Sequence, residues 1–127
     1  MELEWLRRYA LQFLYVTEQV QWESDLLLKV GGKMFLAMPL EPAPVVCSFK
    51  CSPESFQELV ERPGVIPAPY LARASWVSLE NAGAIPAAEL KALVKHSYEL
   101  VWEKLPRKTR EALEGGSAPA RSRTARS

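Results

Sequence analysis

The stretch LLLKVGGKMFLAM, Leu26 to Met38, decides the fold. Two apolar runs flank Gly31-Gly32, and a two-residue hairpin turn needs the positive φ angles that glycine adopts without strain. With the turn there, Val30 is expected opposite Lys33, Leu28 opposite Phe35 and Leu26 opposite Ala37 on one face. Lys29 opposite Met34 and Leu27 opposite Leu36 fall on the other. Side chains alternate across a strand, so this second face also reads as apolar, with Leu27, Met34, Leu36 and Met38. A sheet shielded by helices on one side only leaves that face to the C-terminal helix, to curling of the sheet, or to a partner.

The flanks supply the helices and the remaining strands. In ELEWLRRYALQF, Leu3, Leu6, Ala10 and Phe13 recur at helical spacing. VTEQVQW alternates Val16, Glu18, Val20 and Trp22 against Thr17, Gln19 and Gln21, which predicts a strand. A strand over about Val45 to Cys51 is followed by Ser52-Pro53-Glu54, an N-cap with proline in the first helical turn. VIPAPYLARA reads as a proline-rich connector and SWVSLE as a short strand. Pro86 opens the longest helix, to about Lys104, with Leu90, Leu93, Val94, Ser97, Leu100, Val101 and Leu105 on one side. Pro106 ends it, and RKTREALE reads as a short final helix.

The 127 residues fit one domain, with 48% hydrophobic and 24% charged residues. No apolar run approaches the roughly 18 to 20 residues of a bilayer span. The charges within MELEWLRRY are unlike a signal peptide. The net charge of +1 conceals an asymmetry: residues 1–115 carry −2, and Arg121, Arg123 and Arg126 make residues 116–127 +3. A nucleic-acid footprint on such a chain must be local or lie in the tail. The expected domain covers residues 1–114. Residues 115–127 lack large apolar side chains and are expected to be disordered.

Cys47 and Cys51 are the only cysteines. Four positions apart on a strand, they stand roughly 13 Å apart, beyond the reach of a disulfide, as suits reduced thiols in a cytoplasmic protein. With His96 the sole histidine, the residues do not suggest a metal site. His96 falls at the border of the helical stripe, and no nucleophile–base arrangement stands beside it, so no catalytic residue is assigned and no cofactor is implied.

VTEQVQW, LLLKVGGKMFLAM, FKCSPE, PGVIPA, SWVSLE and ELKALVKHSYELVWEKLPRKTREAL resemble, in order and near spacing, the MmcQ/YjbR-like family over about Met1 to Leu113. The resemblance implies an α+β fold of two layers. An antiparallel sheet of about five strands is packed by N- and C-terminal helices, in the order α-β-β-β-β-α-β-α, likened to the CyaY and double-wing folds. It also implies a bacterial, non-enzymatic, DNA-binding protein. Two departures stand out. Where members carry LPGVTE this chain has FLYVTE, with Leu14-Tyr15 for Pro-Gly, so the first helix is expected to run longer or end differently. Where many have NKKHW it has ARASW, keeping only Arg73.

Candidate nucleic-acid contacts are Lys29, Lys33, Lys50 and Arg73, with Met34 and Trp76 among them. Lys104, Arg107, Lys108 and Arg110, with the Arg tail, form a second basic patch at the C-terminus. Contacts of this kind are salt-sensitive and largely independent of sequence. The alternative is a protein-interaction or homodimerising module using the apolar face of the 26–38 hairpin.

Overall fold

The computed structural model describes residues 2–22, 24–69 and 71–115. The expected tail lies, from residue 116 on, outside the described residues. In chain order the elements are helix α1 (Glu4–Ala10) and strands β1 (Val16–Gln21), β2 (Asp25–Val30), β3 (Lys33–Pro39) and β4 (Cys47–Lys50). Helix α2 (Pro53–Leu59), strand β5 (Val65–Pro67), a 3-10 turn at Ala72–Ala74 and strand β6 (Trp76–Leu79) follow. Helices α3 (Ala87–Lys104) and α4 (Arg107–Glu114) close the chain. The strands form one antiparallel sheet in the order β1-β2-β3-β4-β6-β5. The expected α+β architecture is present, with one strand more. β5 hides in the proline-rich segment because it is three residues long and ends on Pro67, which an edge strand tolerates.

Residues directly opposite in an antiparallel ladder share a face. One face carries Leu26, Leu28, Val30, Leu36, Met38, Phe49, Val77 and Leu79 in a single buried cluster. Leu6 of α1, Leu59 of α2, Leu90 and Val94 of α3 and the half-buried Leu113 of α4 pack onto it. Each fully buried leucine here is worth about 1.5–3 kcal/mol. The opposite face carries Leu27, Lys29, Ala37, Ser48, Lys50, Trp76 and Ser78.

The hairpin turn forms where the glycines place it. Gly31 and Gly32 take φ of 60° and 83°, and Val30 pairs with Lys33 and Lys29 with Met34. Beyond that the register departs from the simple hairpin. A bulge leaves Phe35 without a partner, so Leu28 faces Leu36, Leu27 faces Ala37 and Leu26 faces Met38. Phe35, Leu36 and Met38 therefore all enter the helix-side core. The second hairpin face keeps only Leu27, Met34 and Ala37 of its apolar residues, and Leu27 is itself 2% exposed.

Helix α3 meets the sheet beside the bulge. Its buried Ser97 accepts a hydrogen bond from the Lys50 amide (3.1 Å) and donates one to the Phe35 carbonyl (2.7 Å). The β3–β4 ladder pairs Leu36 with Phe49 and Ala37 with Ser48, and Ser97 serves the backbone groups just past it. A buried peptide group left unpaired costs about 1–3 kcal/mol, so the small polar residue in the apolar stripe of α3 has a structural use.

Helix α1 ends at Ala10 instead of running on. Tyr15 takes φ 67°, the left-handed conformation that glycine adopts freely. Its ring stacks on Trp102 with centroids 5.6 Å apart. Ser52 caps α2 as its sequence predicts, accepting from the Ser55 amide at 3.1 Å.

Candidate nucleic-acid interface

The register brings the expected basic residues to one end of the sheet. β2 ends and β3 begins at the Gly31-Gly32 turn, β4 ends at Lys50, and β6 begins at Trp76 opposite it. Lys29 and Lys33 therefore share this end with Lys50. The Lys50 ammonium donates to the Ala74 carbonyl at 2.9 Å, which draws in the segment carrying the exposed Arg73. Gly31 lies against Leu105, so close that a Cβ on the glycine would meet Leu105 Cδ1 at 2.6 Å. That contact places Lys104 and the start of α4, with Arg107 and Lys108, beside the hairpin tip.

The charges at this end are not equivalent. Burial holds the Lys50 ammonium below the usual lysine pKa, and the charge of Lys104 lowers it further, against an opposing influence from Cys51. A cation close enough to act on Lys50 in this way stabilises, together with it, an anion placed between the two. Lys33, Arg73, Lys104 and Lys108 are exposed. Arg107 is engaged by Glu111 at 2.9 Å, and Arg110 donates to the Leu105 carbonyl at 3.3 Å. Lys29 lies on the face away from the helices, bonded to the side-chain oxygens of Gln19 (2.6 Å) and Gln21 (3.2 Å). Glu54, in the first turn of α2, and Glu103, next to Lys104 in α3, are exposed acids in the same segments.

Trp76 stands apart from the other candidates. It is 4% exposed, with its amide bonded to Leu71 and its carbonyl to Ala68. Its ring is packing and offers no face for a base to stack on. Met34 is half-buried. Sequence reasoning did not foresee the two glutamines that hold Lys29. The period-2 pattern of β1 placed both on one face, but only the β1–β2 register shows that they reach Lys29.

Other chemistry finds little footing. Cys47 and Cys51 are buried free thiols, with pKa values pushed by burial up to about 12 and about 11. Among the described residues no group of three His, Cys, Asp or Glu side chains could hold a metal ion. A pocket of about 130 Å³ lined by Glu2, Leu40, Glu41 and Val46 lies at the other end of the sheet and contains no cation. No helix among the described residues is long and apolar enough to cross a membrane.

Three comparisons place the chain among known proteins. The model of the YjbR family matches residues 11–100. A crystal structure of the Deinococcus radiodurans protein DR2400, a DUF419 domain, is 25% identical with a TM-score of 0.76. The match covers 88% of this chain and 87% of that one. A Pseudomonas syringae protein, structural-genomics target PsR293, shares the fold with a TM-score of 0.63 at 20% identity, over 80% of this chain and 99% of that one. No curated protein matches significantly.

Proposed function

The chain belongs to the YjbR family, and from that premise we propose that it is a non-catalytic, cytoplasmic binding domain that takes DNA on the basic end of its sheet. The observation that carries this reading is the convergence just described. Lys33, Lys50, Arg73, Lys104 and Lys108 come from five separate segments, and strand register and the Gly31–Leu105 contact gather them at one end. A body of net charge −2 over residues 1–115 then presents a local positive surface. The cationic groups sit on short, differently oriented segments, which suits phosphate contacts better than base readout.

Fluorescence anisotropy with a labelled duplex tests the reading. About four phosphate contacts give roughly a hundredfold loss of affinity between about 50 and 200 mM salt. The double substitution Lys104→Glu with Lys108→Glu should weaken binding at least about tenfold at the lower salt. Absence of binding by micromolar protein at about 50 mM salt would remove the proposal.

A further inference from the structure

We infer that β1 is a pairing edge for a second copy of this chain, joining the two sheets antiparallel about a two-fold axis at Gln19. The inference does not rest on the nucleic-acid reading. The two edges of the sheet differ in kind. β5 is short and closes on Pro67, which has no N–H to offer. β1 has six residues, without proline or lysine, and pairs with β2 from Val16–Val30 to Gln21–Asp25 without a register shift. Every second residue of an edge strand turns its N–H and C=O away from its one neighbour. Among the described residues, the backbone of Val16 to Gln21 makes no hydrogen bond outside that ladder.

The side chains of β1 leave this edge unguarded. Glu18 is held by the Arg7 guanidinium through two bonds of 2.8 Å. Gln19 and Gln21 are drawn inward to Lys29. The one charge on the strand is thus neutralised within its own protomer, and the usual charged guard of an edge is missing. Thr17, Glu18, Gln19 and Val20 are exposed along the strand, and the large apolar side chains exposed on and just beyond it are Val20 at 54% and Trp22 at 66%. Leu40, also exposed, lies at the same end, its amide bonded to the Ser24 carbonyl at 2.7 Å.

Charge and pairing favour a second copy as the occupant. An acidic or basic peptide meets no free countercharge on β1, whereas the strand suits itself. A two-fold axis at Gln19 sets Thr17 against Gln21 and Glu18 against Val20 within the strand, which ends before the left-handed Trp22. No like charges then lie opposite one another, an arrangement that would be destabilising. The helical layers of both copies fall on the same side of the joined sheet. The contact is a strand edge with one small apolar group from each copy, so it belongs to the small interfaces, below about 1,200 Å² in total, with micromolar affinity.

Light scattering on the full chain at about 100 µM should give the mass of a dimer that dissociates on dilution towards about 1 µM. Val20→Lys with Trp22→Ser should be monomeric at both concentrations, with an unchanged circular dichroism spectrum. Gln19→Cys supplies a reading that survives if that variant fails to fold. Equivalent Cα atoms across the axis fall within the roughly 7 Å that a disulfide spans, so mild oxidation should link the copies. A wild-type chain that stays monomeric at about 100 µM overturns the inference and leaves the edge to an extended segment of another protein. A dimer that persists in the Val20→Lys, Trp22→Ser variant, or a dimeric Gln19→Cys chain that does not cross-link, overturns it equally.

Discussion

Ser97 donates its hydroxyl to the carbonyl of Phe35 at 2.7 Å, across 62 positions of sequence. The bond lies at the point where β3 bulges and where the Lys50 amide, the other partner of that hydroxyl, leaves the β3–β4 ladder. One side chain from α3 thus fixes how the hairpin meets its neighbour and where the Lys50 end of the sheet lies. Ser97→Ala would leave both peptide groups buried and unpaired. A loss of about 2–4 kcal/mol is expected, read by urea denaturation as a lower midpoint with an unchanged slope.

The two turn glycines should respond differently to alanine. Both hold positive φ, and that conformation costs a residue with a Cβ about 1–2 kcal/mol. At Gly32 nothing lies within 4 Å of the added atom, so that strain is the whole effect. At Gly31 the atom would also meet the Leu105 side chain at 2.6 Å, and such overpacking adds about 1–3 kcal/mol. Thermal melts should therefore rank wild type above Gly32→Ala and Gly32→Ala above Gly31→Ala.

Tyr15 trades strain for stacking. Tyr15→Ala keeps the left-handed backbone and loses the ring on Trp102, whereas Tyr15→Gly loses the ring but relieves the strain. Both should be less stable than wild type. The glycine variant should be the better of the two by about 1 kcal/mol, measured by chemical denaturation. An alanine variant as stable as the glycine variant would remove the strain from the account.

The hairpin was legible in the sequence because its cause is local. Gly31-Gly32 sets the first two pairs whatever lies nearby, and Ser52-Pro53 starts α2 for reasons contained in three residues. The register beyond Met34 was not legible, because nothing in the local pattern marks Phe35 as the extra residue that shifts it. The second hairpin face therefore looked more apolar than it is. β5 was concealed by the prolines around it, and the end of α1 by a tyrosine in a conformation that sequence patterns reserve for glycine. The basic candidates were each visible as residues. The grouping of Lys29, Lys33, Lys50 and Arg73 on the sheet was legible as well, but the approach of Lys104 and Lys108 to it was not, since it depends on the contact of Gly31 with Leu105.

The ion pairs predict an acid-side dependence with a definite sign. The Arg62 guanidinium bonds both Glu89 oxygens, at 3.0 and 2.7 Å, and that hydrogen bonding holds the Glu89 carboxyl below its ordinary pKa. A depressed folded pKa stabilises above the unfolded value, and the stabilisation is lost as pH falls through the folded one. The pair is partly exposed, so the effect is small. Glu89→Gln should narrow its stability deficit against wild type as pH drops below the ordinary glutamate range. A deficit that stays constant from neutral to strongly acidic pH would contradict the pairing.

The thiols should be inert in the folded chain. Burial keeps Cys47 and Cys51 protonated well above neutral pH, and the thiolate is the reactive form. An aromatic disulfide reagent at mildly alkaline pH should modify both only at the rate of unfolding. Rapid labelling of either without denaturant would contradict their placement in the core.

The most direct test of the proposed DNA-binding surface is an amide chemical-shift titration of the full chain with a short duplex at low salt. The account predicts that the largest shifts fall at the hairpin-tip end, on Lys33, Lys50, Arg73, Lys104 and Lys108 and their neighbours, and that they fade together as salt is raised. Shifts centred instead on the Asp25–Pro39 end of the sheet, or no shifts at all, would contradict it.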